Sequence, residues 1–152
     1  MYPIRLVAVG RVKSEPILSL EKHYKKLLGA YARLELVEVK DGSGHGERRQ
    51  IIEAARVRDA LAGFRRRVLL SADGEQRTSE EFASWLGART DLGESLAFAV
   101  GPSDGFHPTL KTDVPESMGL SRMTFPHDLC RVMFLEQLYR AFAILHGKVY
   151  HK

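Results

Sequence analysis

The C-terminal part of the chain carries side chains that could take part in acid–base chemistry or bind RNA. His127 could act as a general base, because histidine titrates near neutral pH, or it could contact RNA, although a lone histidine is more often structural. The tail 147–152 would normally be expected to fray. Its Tyr150 and His151 could nevertheless stack on a nucleobase while a lysine contacts phosphate. Residue types alone leave both interpretations open for each feature.

A second candidate feature is the turn Gly101-Pro102-Ser103-Asp104-Gly105. Such a segment can expose backbone N–H and C=O groups to a ligand, but turns of this composition are common. Other kinds of site leave no signature, since the six histidines and one cysteine show no zinc spacing and neither a nucleophile elbow nor a P-loop is present. We therefore expect no metal, and we interpret Cys130 as a small core residue.

Length and composition restrict the class of protein. The 152 residues favour one domain over 1–152, and a chain of this size buries roughly 70% of its unfolded surface. Hydrophobic residues at 44% and charged residues at 28% exclude a disordered, collagen-like or disulfide-stapled protein. No apolar run approaches the ~18 residues of a membrane span, no signal peptide is recognisable, and one cysteine demands no oxidising compartment. We expect a cytoplasmic protein that does not enter a membrane.

Charge is distributed unevenly along the chain. Residues 1–78 contain 16 Lys and Arg against 10 Asp and Glu, residues 79–120 contain 2 against 7, and residues 121–152 contain 5 against 2. The sequence pI is about 9.3. Two basic stretches that flank an acidic one suggest a polyanionic partner such as nucleic acid, although a solvated basic surface explains the same charges equally well.

Apolar runs alternate with amphipathic segments. The runs predict strands at 4–9, 34–39, 68–70, 96–100 and 120–123, with a turn at 71–74. The amphipathic segments predict helices from Glu15 to a stop at Gly29, from Glu47 to Ala62, from a cap at Ser79, after Pro108, and from about Asp128, a candidate N-cap, to Leu145. Strands alternating with helices favour an α/β fold with a mainly parallel sheet and helices on both faces.

Ligands of an open parallel sheet bind at the carboxyl ends of its strands. In the predicted fold three loops lie at this edge, after Leu70, after Val100 and after Met123. They include the turn at 101–105 and the segment that leads to His127. The sequence therefore predicts that a ligand site is formed by these loops.

The last predicted helix is apolar in nearly every direction around its axis. A helix that is apolar all round is buried on all sides, whereas a helix covering a sheet normally leaves one side to water. We therefore expect a homodimer that uses this helix, the alternative being a helix enclosed by its own chain. Glu136 and Arg140 lie four residues apart on it and form either an ion pair or part of a site.

The C-terminal residues together form a pattern that resembles one enzyme family. The pattern comprises the run 121–127 (SRMTFPH), Arg131, the run 136–141 (EQLYRA) and the ending 150–152 (YHK). With the opening 6–10 (LVAVG) and the chain length, it is similar to the SPOUT-class bacterial ribosomal RNA large subunit methyltransferase H family. The resemblance covers the whole chain, and its C-terminal motifs are far more specific than a glycine-rich turn.

The resemblance implies a homodimer with a C-terminal trefoil knot whose loops bind S-adenosylmethionine. It implies methyl transfer to N3 of a pseudouridine in 23S rRNA of the assembled ribosome. By position, it assigns cofactor contacts to Leu70, Gly101, Pro102, Ser121, Arg122, Met123, Thr124, Phe125 and Pro126. It assigns the catalytic pocket or its RNA-facing rim to His127, Arg131, Glu136, Arg140, Tyr150 and His151.

Within that assignment, His127 and His151 are the candidate acceptors of the N3 proton. Arg131 and Arg140 could orient phosphate or stabilise charge on the uracil oxygens. The basic N-terminal stretch would attract rRNA regardless of its sequence, and pairing of subunits would complete each pocket.

Pro102 departs from the pattern of the family, which typically has a second glycine there. Proline has no backbone N–H, so a cofactor hydrogen bond from that donor is impossible in this chain, while a carbonyl or van der Waals contact would survive. Two alternatives stay open: a dimeric RNA-binding module of this fold without methyl transfer, and a SPOUT enzyme that acts on transfer RNA.

Overall fold

The computed structural model describes residues 2–102 and 104–150, which form a parallel sheet between two layers of helices. The elements in chain order are β1 (Tyr2–Val9), α1 (Glu15–Leu28), β2 (Ala32–Val39), α2 (Gly46–Leu61), β3 (Arg66–Gln76), α3 (Ser79–Asp91), β4 (Leu96–Val100), α4 (Pro108–Asp113), β5 (Ser117–Gly119) and α5 (His127–Leu145). The strand order is β2-β1-β4-β3-β5, and each neighbouring pair is parallel. The predicted α/β class is confirmed, and the trefoil knot stays a prediction.

Strand β4 lies at the centre of the sheet and is buried on both faces, which explains its continuous apolar run. Phe98 points to the face covered by α1, α3 and α5, where its ring centroid lies 4.6 Å from that of Phe134. Ala97 and Ala99 belong to the core on the other face, under α2 and α4. Because all strands are parallel, their carboxyl ends meet at a single edge of the sheet, called here the carboxyl edge.

Strand β3 is longer than predicted, because the apparent turn at 71–74 lies inside it. Its pairing with β5 changes register between Leu70 and Glu75, so the turn-forming residues make an irregularity within the strand. Gly74 permits the close approach of the two strands, since a Cβ there would lie 2.6 Å from the backbone nitrogen of Met118. Local sequence could not distinguish this bulge from a turn, because the pairing partner is remote in the chain.

The last strand is Ser117–Gly119, so the predicted strand at 120–123 is wrong. Leu120 and Met123 line a cavity, and Met123 is 73% exposed on the free chain. With Leu120 and Met123 as its only apolar members, this segment does not distinguish a strand from the wall of a cavity.

Two helix starts also differ from the predictions. Thr78, rather than Ser79, caps α3 in a reciprocal capping box with Glu81. The Ser79 hydroxyl instead donates to Gln137 Oε1 at 2.7 Å and ties α3 to α5. Helix α5 begins at His127, so Asp128 lies in its first turn, where a carboxylate favours the helix dipole.

Helix α5 packs against α1, α3 and the sheet, and its own chain buries most of its apolar side chains. Leu129 and Leu145 remain 37% and 41% exposed. Contacts within one protomer therefore explain most of the apolar surface around the helix. The homodimer stays a prediction. None of the helices in the described ranges is both long and apolar enough to span a membrane.

Candidate active site

A cavity of about 310 Å³ lies at the carboxyl edge. Its walls come from residues 70–72 within β3, from the loop after β4, and from the segment after β5 that leads into α5. Its lining residues are Leu70, Ser71, Ala72, Val100, Gly101, Pro102, Asp104, Gly105, Phe106, Leu120, Ser121, Met123, Thr124, Phe125, His127 and Cys130. Segments separated by up to sixty residues in the chain meet here because parallel strands deliver their carboxyl ends to one place.

Most of the residues predicted to contact the cofactor line this cavity. They are Leu70, Gly101, Pro102, Ser121, Met123, Thr124 and Phe125. Arg122 and Pro126 do not line it, since Arg122 is exposed and Pro126 is the residue that precedes α5. Among the described residues that were predicted to be catalytic, only His127 lies in this lining.

Sequence reasoning did not assign Asp104, Phe106, Leu120 or Cys130 to ligand contact, although all four line the cavity. Phe106 forms its floor and is nearly buried. The Phe106 ring leaves little room for a side chain at Gly101, because a Cβ there would lie 3.0 Å from the ring. In the sequence, the turn at 101–105 was the signal for a ligand site near Phe106. A turn does not indicate which neighbouring apolar side chain points into the cavity.

Cys130 lies at the base of the cavity, one turn into α5. Burial raises the pKa of its thiol above the usual range, so the sulfur stays protonated near neutral pH. A protonated thiol is a poor nucleophile. Cys130 therefore serves as a small, weakly polar wall, in agreement with its interpretation as a core residue.

The cavity residues fit a ligand with an apolar ring and a polar, positively charged part. The volume lies at the lower end of the range for small-molecule sites, roughly 300 to 1,000 Å³. Leu70, Val100 and Leu120 supply apolar surface, and Asp104 supplies an exposed carboxylate at the rim. The Ser121 hydroxyl accepts a hydrogen bond from the Met123 N–H at 3.0 Å and shapes the loop. The residues present therefore fit S-adenosylmethionine.

A second group of predicted catalytic residues lies together elsewhere on α5. Arg140 Nε donates to Glu136 Oε1 at 3.0 Å, and the Tyr150 hydroxyl donates to the same oxygen at 3.3 Å. The Arg140 guanidinium lies 5.1 Å from the centroid of the Tyr150 ring, a cation–π distance. Tyr139 packs edge-on against Tyr150 at 4.8 Å. We call Glu136, Arg140 and Tyr150 the tail cluster, because it holds the end of the chain against α5.

The ionisation of the tail cluster follows from these contacts. Burial, hydrogen bonding with Tyr24 and the negative charge of Glu136 hold the pKa of Tyr150 well above its usual value. The hydrogen bond to Glu136 raises the pKa of Arg140. Tyr150 is therefore a neutral phenol near neutral pH and is not a base. It offers a ring and a hydroxyl group.

The tail cluster is remote from the cavity within one protomer. Glu136 follows His127 by nine residues along α5, which corresponds to roughly 13 Å, and Arg140 lies about 20 Å from His127. Glu136 instead borders a groove of about 550 Å³ with Tyr24, Phe82 and Met133, and Leu120 lines both this groove and the cavity. His151 lies outside the described residues.

Arg131 is buried within one protomer, and its predicted place near the pocket or at its RNA-facing rim stays a prediction. Its side chain is 4% exposed and lies between two carboxylates, with Nη2 at 2.8 Å from Glu21 Oε2 and Nη1 at 2.9 Å from Glu38 Oε2. Glu38 also accepts a hydrogen bond from the Val12 N–H. These contacts fasten α5 to α1 and β2. We call Glu21, Glu38 and Arg131 the buried ion cluster.

Within residues 2–102 and 104–150, no three His, Cys, Asp or Glu side chains come together as metal ligands.

Comparison with known proteins defines the class to which this fold and cavity belong. Residues 2–151 match the family described as "Predicted SPOUT methyltransferase". The chain belongs to the SPOUT methyltransferase family, a match that covers almost its full length.

Two named relatives match the chain over almost its full length. The chain is 43% identical over 149 residues to the ribosomal RNA large subunit methyltransferase H of Gloeobacter violaceus, covering 97% of each chain. It is 40% identical over 151 residues to the protein of that name from an Anaeromyxobacter species, covering 98% of this chain and 99% of the relative. A methylase family protein from Neisseria gonorrhoeae has the same fold, with a TM-score of 0.55 at 12% identity over 91% of this chain and 82% of that chain.

Proposed function

We propose that this protein, as one domain over residues 1–152, methylates N3 of a pseudouridine in 23S rRNA of the assembled cytoplasmic ribosome with S-adenosylmethionine as donor. The observation that carries the proposal is the cavity at the carboxyl edge, which gathers Leu70, Gly101 and Ser121 with His127. Membership of a methyltransferase family and the names of the relatives support the reaction and the rRNA substrate.

The cavity residues would bind the donor. When bound, S-adenosylmethionine supplies an electrophilic methyl group on a positively charged sulfur. The apolar walls from Leu70 and Leu120 would enclose an aromatic ring, while Asp104 would attract positive charge at the rim. Pro102 would contribute its carbonyl or its ring but no N–H donor. Since the loops are fixed by the sheet and by α5, their main contribution is to position the donor.

Methyl transfer to N3 requires that this nitrogen lose its proton as the new N–C bond forms. His127 lies in the cavity lining at the start of α5 and is the described residue best placed to accept that proton. Cys130 cannot take this role readily, because burial raises the pKa of its thiol. His151 is the second candidate by residue type.

The tail cluster would act on the RNA side of the reaction. Arg140 would orient phosphate or stabilise negative charge on the uracil oxygens, and Tyr150 would stack on a base. Because this cluster and His127 lie far apart on one helix, we propose that two protomers pair so that the tail of one completes the cavity of the other. Leu129 and Leu145, which are exposed on α5 of the free chain, would contribute to that contact.

The test is transfer of labelled methyl groups from S-adenosylmethionine to ribosomes that lack the modification, followed by nucleoside analysis. Methylation at N3 of a pseudouridine in 23S rRNA is the expected result. Product on transfer RNA alone would identify a different SPOUT substrate. Ribosome binding without transfer would favour an RNA-binding module, for which Pro102 is the motivating residue. Calorimetric titration with S-adenosylmethionine, alone and with ribosomes, separates loss of cofactor binding from loss of transfer.

A further inference from the structure

The basic N-terminal stretch divides into two groups of cations once the fold is known. Several arginines of this stretch are neutralised by carboxylates within the protein, including Arg5 by Glu35, Arg58 by Asp113 and Arg66 by Glu94. Other cations are exposed and have no carboxylate within ion-pair distance among the described residues. The total number of Lys and Arg residues therefore overstates how much positive surface an anion can reach. The positions of the unpaired cations indicate where an anion could bind.

One group of unpaired cations lies in the loops of the carboxyl edge, and a second group lies elsewhere on the surface. The first group comprises Arg11 and Lys13 after β1, Lys40 after β2, Arg48 in the first turn of α2, and Arg122 after β5, all of them exposed. Arg122 lies between Ser121 and Met123, which line the cavity. We call the other four, Arg11, Lys13, Lys40 and Arg48, the edge cations.

Three carboxylates at the same edge have partners of their own, although Asp41 and Glu47 are exposed on the surface. Glu38 is bound by Arg131, Glu47 lies 3.1 Å from His107 Nε2, and Asp41 lies 3.7 Å from Arg49. The β1 and β2 ends are the next positions along the sheet from β4, at a spacing of about 4.8 Å per strand. The edge cations therefore lie beside the cavity and not on a remote surface.

We infer that the edge cations form the surface that binds the phosphate backbone of the RNA next to the nucleotide that enters the cavity. The inference rests on the proposed function and deepens it by assigning the RNA path. Polynucleotide phosphates are bound chiefly by exposed Lys and Arg, whose contacts release condensed counterions. An RNA strand lying across the ends of β2 and β1 would present the next nucleotide at the end of β4, where the cavity opens.

The chain offers a matched control farther from the carboxyl edge, on the second half of α1 and at the start of β2. Lys22, Lys25, Lys26 and Arg33 are equally exposed, and no carboxylate lies within ion-pair distance of them in the described part of the chain. Arg33 precedes Lys40 by seven residues along β2, which corresponds to about 23 Å. The two sets carry equal charge at different distances from the cavity.

The experiment compares two quadruple variants, R11Q/K13Q/K40Q/R48Q and K22Q/K25Q/K26Q/R33Q, with the unaltered protein. Equilibrium binding to ribosomes that lack the modification is measured over a range of salt concentrations, without the methyl donor. For the first variant, the slope of log K against log[salt] should fall by about 3, and affinity at low salt should fall by about tenfold or more. The second variant should stay within about twofold of the unaltered protein. Calorimetry should give unchanged S-adenosylmethionine affinity for both, which establishes that the cavity is folded.

Equal losses in the two variants, or a loss confined to the second, would overturn the inference. If both variants keep their ribosome affinity while the unaltered protein transfers methyl groups, the inferred RNA path is wrong. The proposed function would then still hold. An unaltered protein that neither binds ribosomes nor methylates them would overturn both.

Discussion

The buried ion cluster and the tail cluster use the same residue types on the same helix in different surroundings. In the first, Arg131 lies between Glu21 and Glu38 with almost no exposure. In the second, Arg140 pairs with Glu136 but stays about a quarter exposed, beside the ring of Tyr150. The first cluster joins three elements of the fold, whereas the second leaves donors that an incoming anion can reach. We therefore expect Arg131 to act in stability and Arg140 in the reaction, a difference in burial that residue type and spacing do not reveal.

The largest expected effect is on stability, from Arg131→Met. The substitution leaves Glu21 buried opposite Glu38 without a cation, and breaking a buried charge pair of this kind costs about 3 to 5 kcal/mol. Denaturant unfolding measures the loss. As a control, the triple variant R131M/E21Q/E38Q removes the stranded carboxylates and should recover much of it. A loss of unfolding free energy below about 1 kcal/mol is typical of an exposed ion pair and would contradict the contrast between Arg131 and Arg140.

Arg140→Gln should show the opposite pattern. Its ion pair is partly exposed, so the free energy of unfolding should change by about 1 kcal/mol at most. Methyl transfer to ribosomes should fall by about 100-fold, the order expected when a donor that stabilises developing charge is removed. Single-turnover kinetics on ribosomes and denaturant unfolding are measured together. A large stability loss with normal turnover of the remaining folded protein would make Arg140 structural.

Tyr150→Ala should lower methyl transfer by about tenfold, since base–aromatic stacking contributes on the order of 1 to 3 kcal/mol. S-adenosylmethionine affinity should be unchanged, because Tyr150 lies outside the cavity of its own protomer and is proposed to contact RNA rather than the cofactor. Tyr150→Phe is the control and should keep most of the activity, because it retains the ring. Loss of cofactor binding with transfer intact would contradict the assignment of Tyr150 to the RNA side.

The smallest effect concerns the ionisation of Tyr150. Its pKa lies well above the usual 10.0, so the folded protein favours the neutral phenol. The contribution of this group to stability is therefore fully present below pH 10.0 and is lost only as the pH rises through the raised pKa. The difference in phenolate absorbance between the unaltered protein and Y150F should stay near zero at and just above pH 10.0. A phenolate signal there would mean that the tail is not docked on Glu136.

The cavity could be predicted from the sequence to a large extent. Two of its wall segments belong to or follow the correctly predicted strands β3 and β4, and parallel strands deliver their ends to the same edge. The third follows β5, which lies at Ser117–Gly119 and not at the predicted 120–123. The exact walls could not be predicted. Phe106 and Leu120 turn into the cavity because of packing against β4 and β5, and the pattern of the run 120–123 is equally compatible with a strand.

The sequence by itself determined the order of helices and strands, the parallel sheet and the edge at which ligands gather. Those properties follow from hydrophobic periodicity and from the short-range rules that govern crossover connections. Only the tertiary structure decided that Arg131 is enclosed while Arg140 is accessible, that the tail cluster lies far from His127, and which cations remain unpaired. Each of these depends on contacts between residues that are distant in the chain, such as Glu21 with Arg131, and burial and charge neutralisation are set by such contacts.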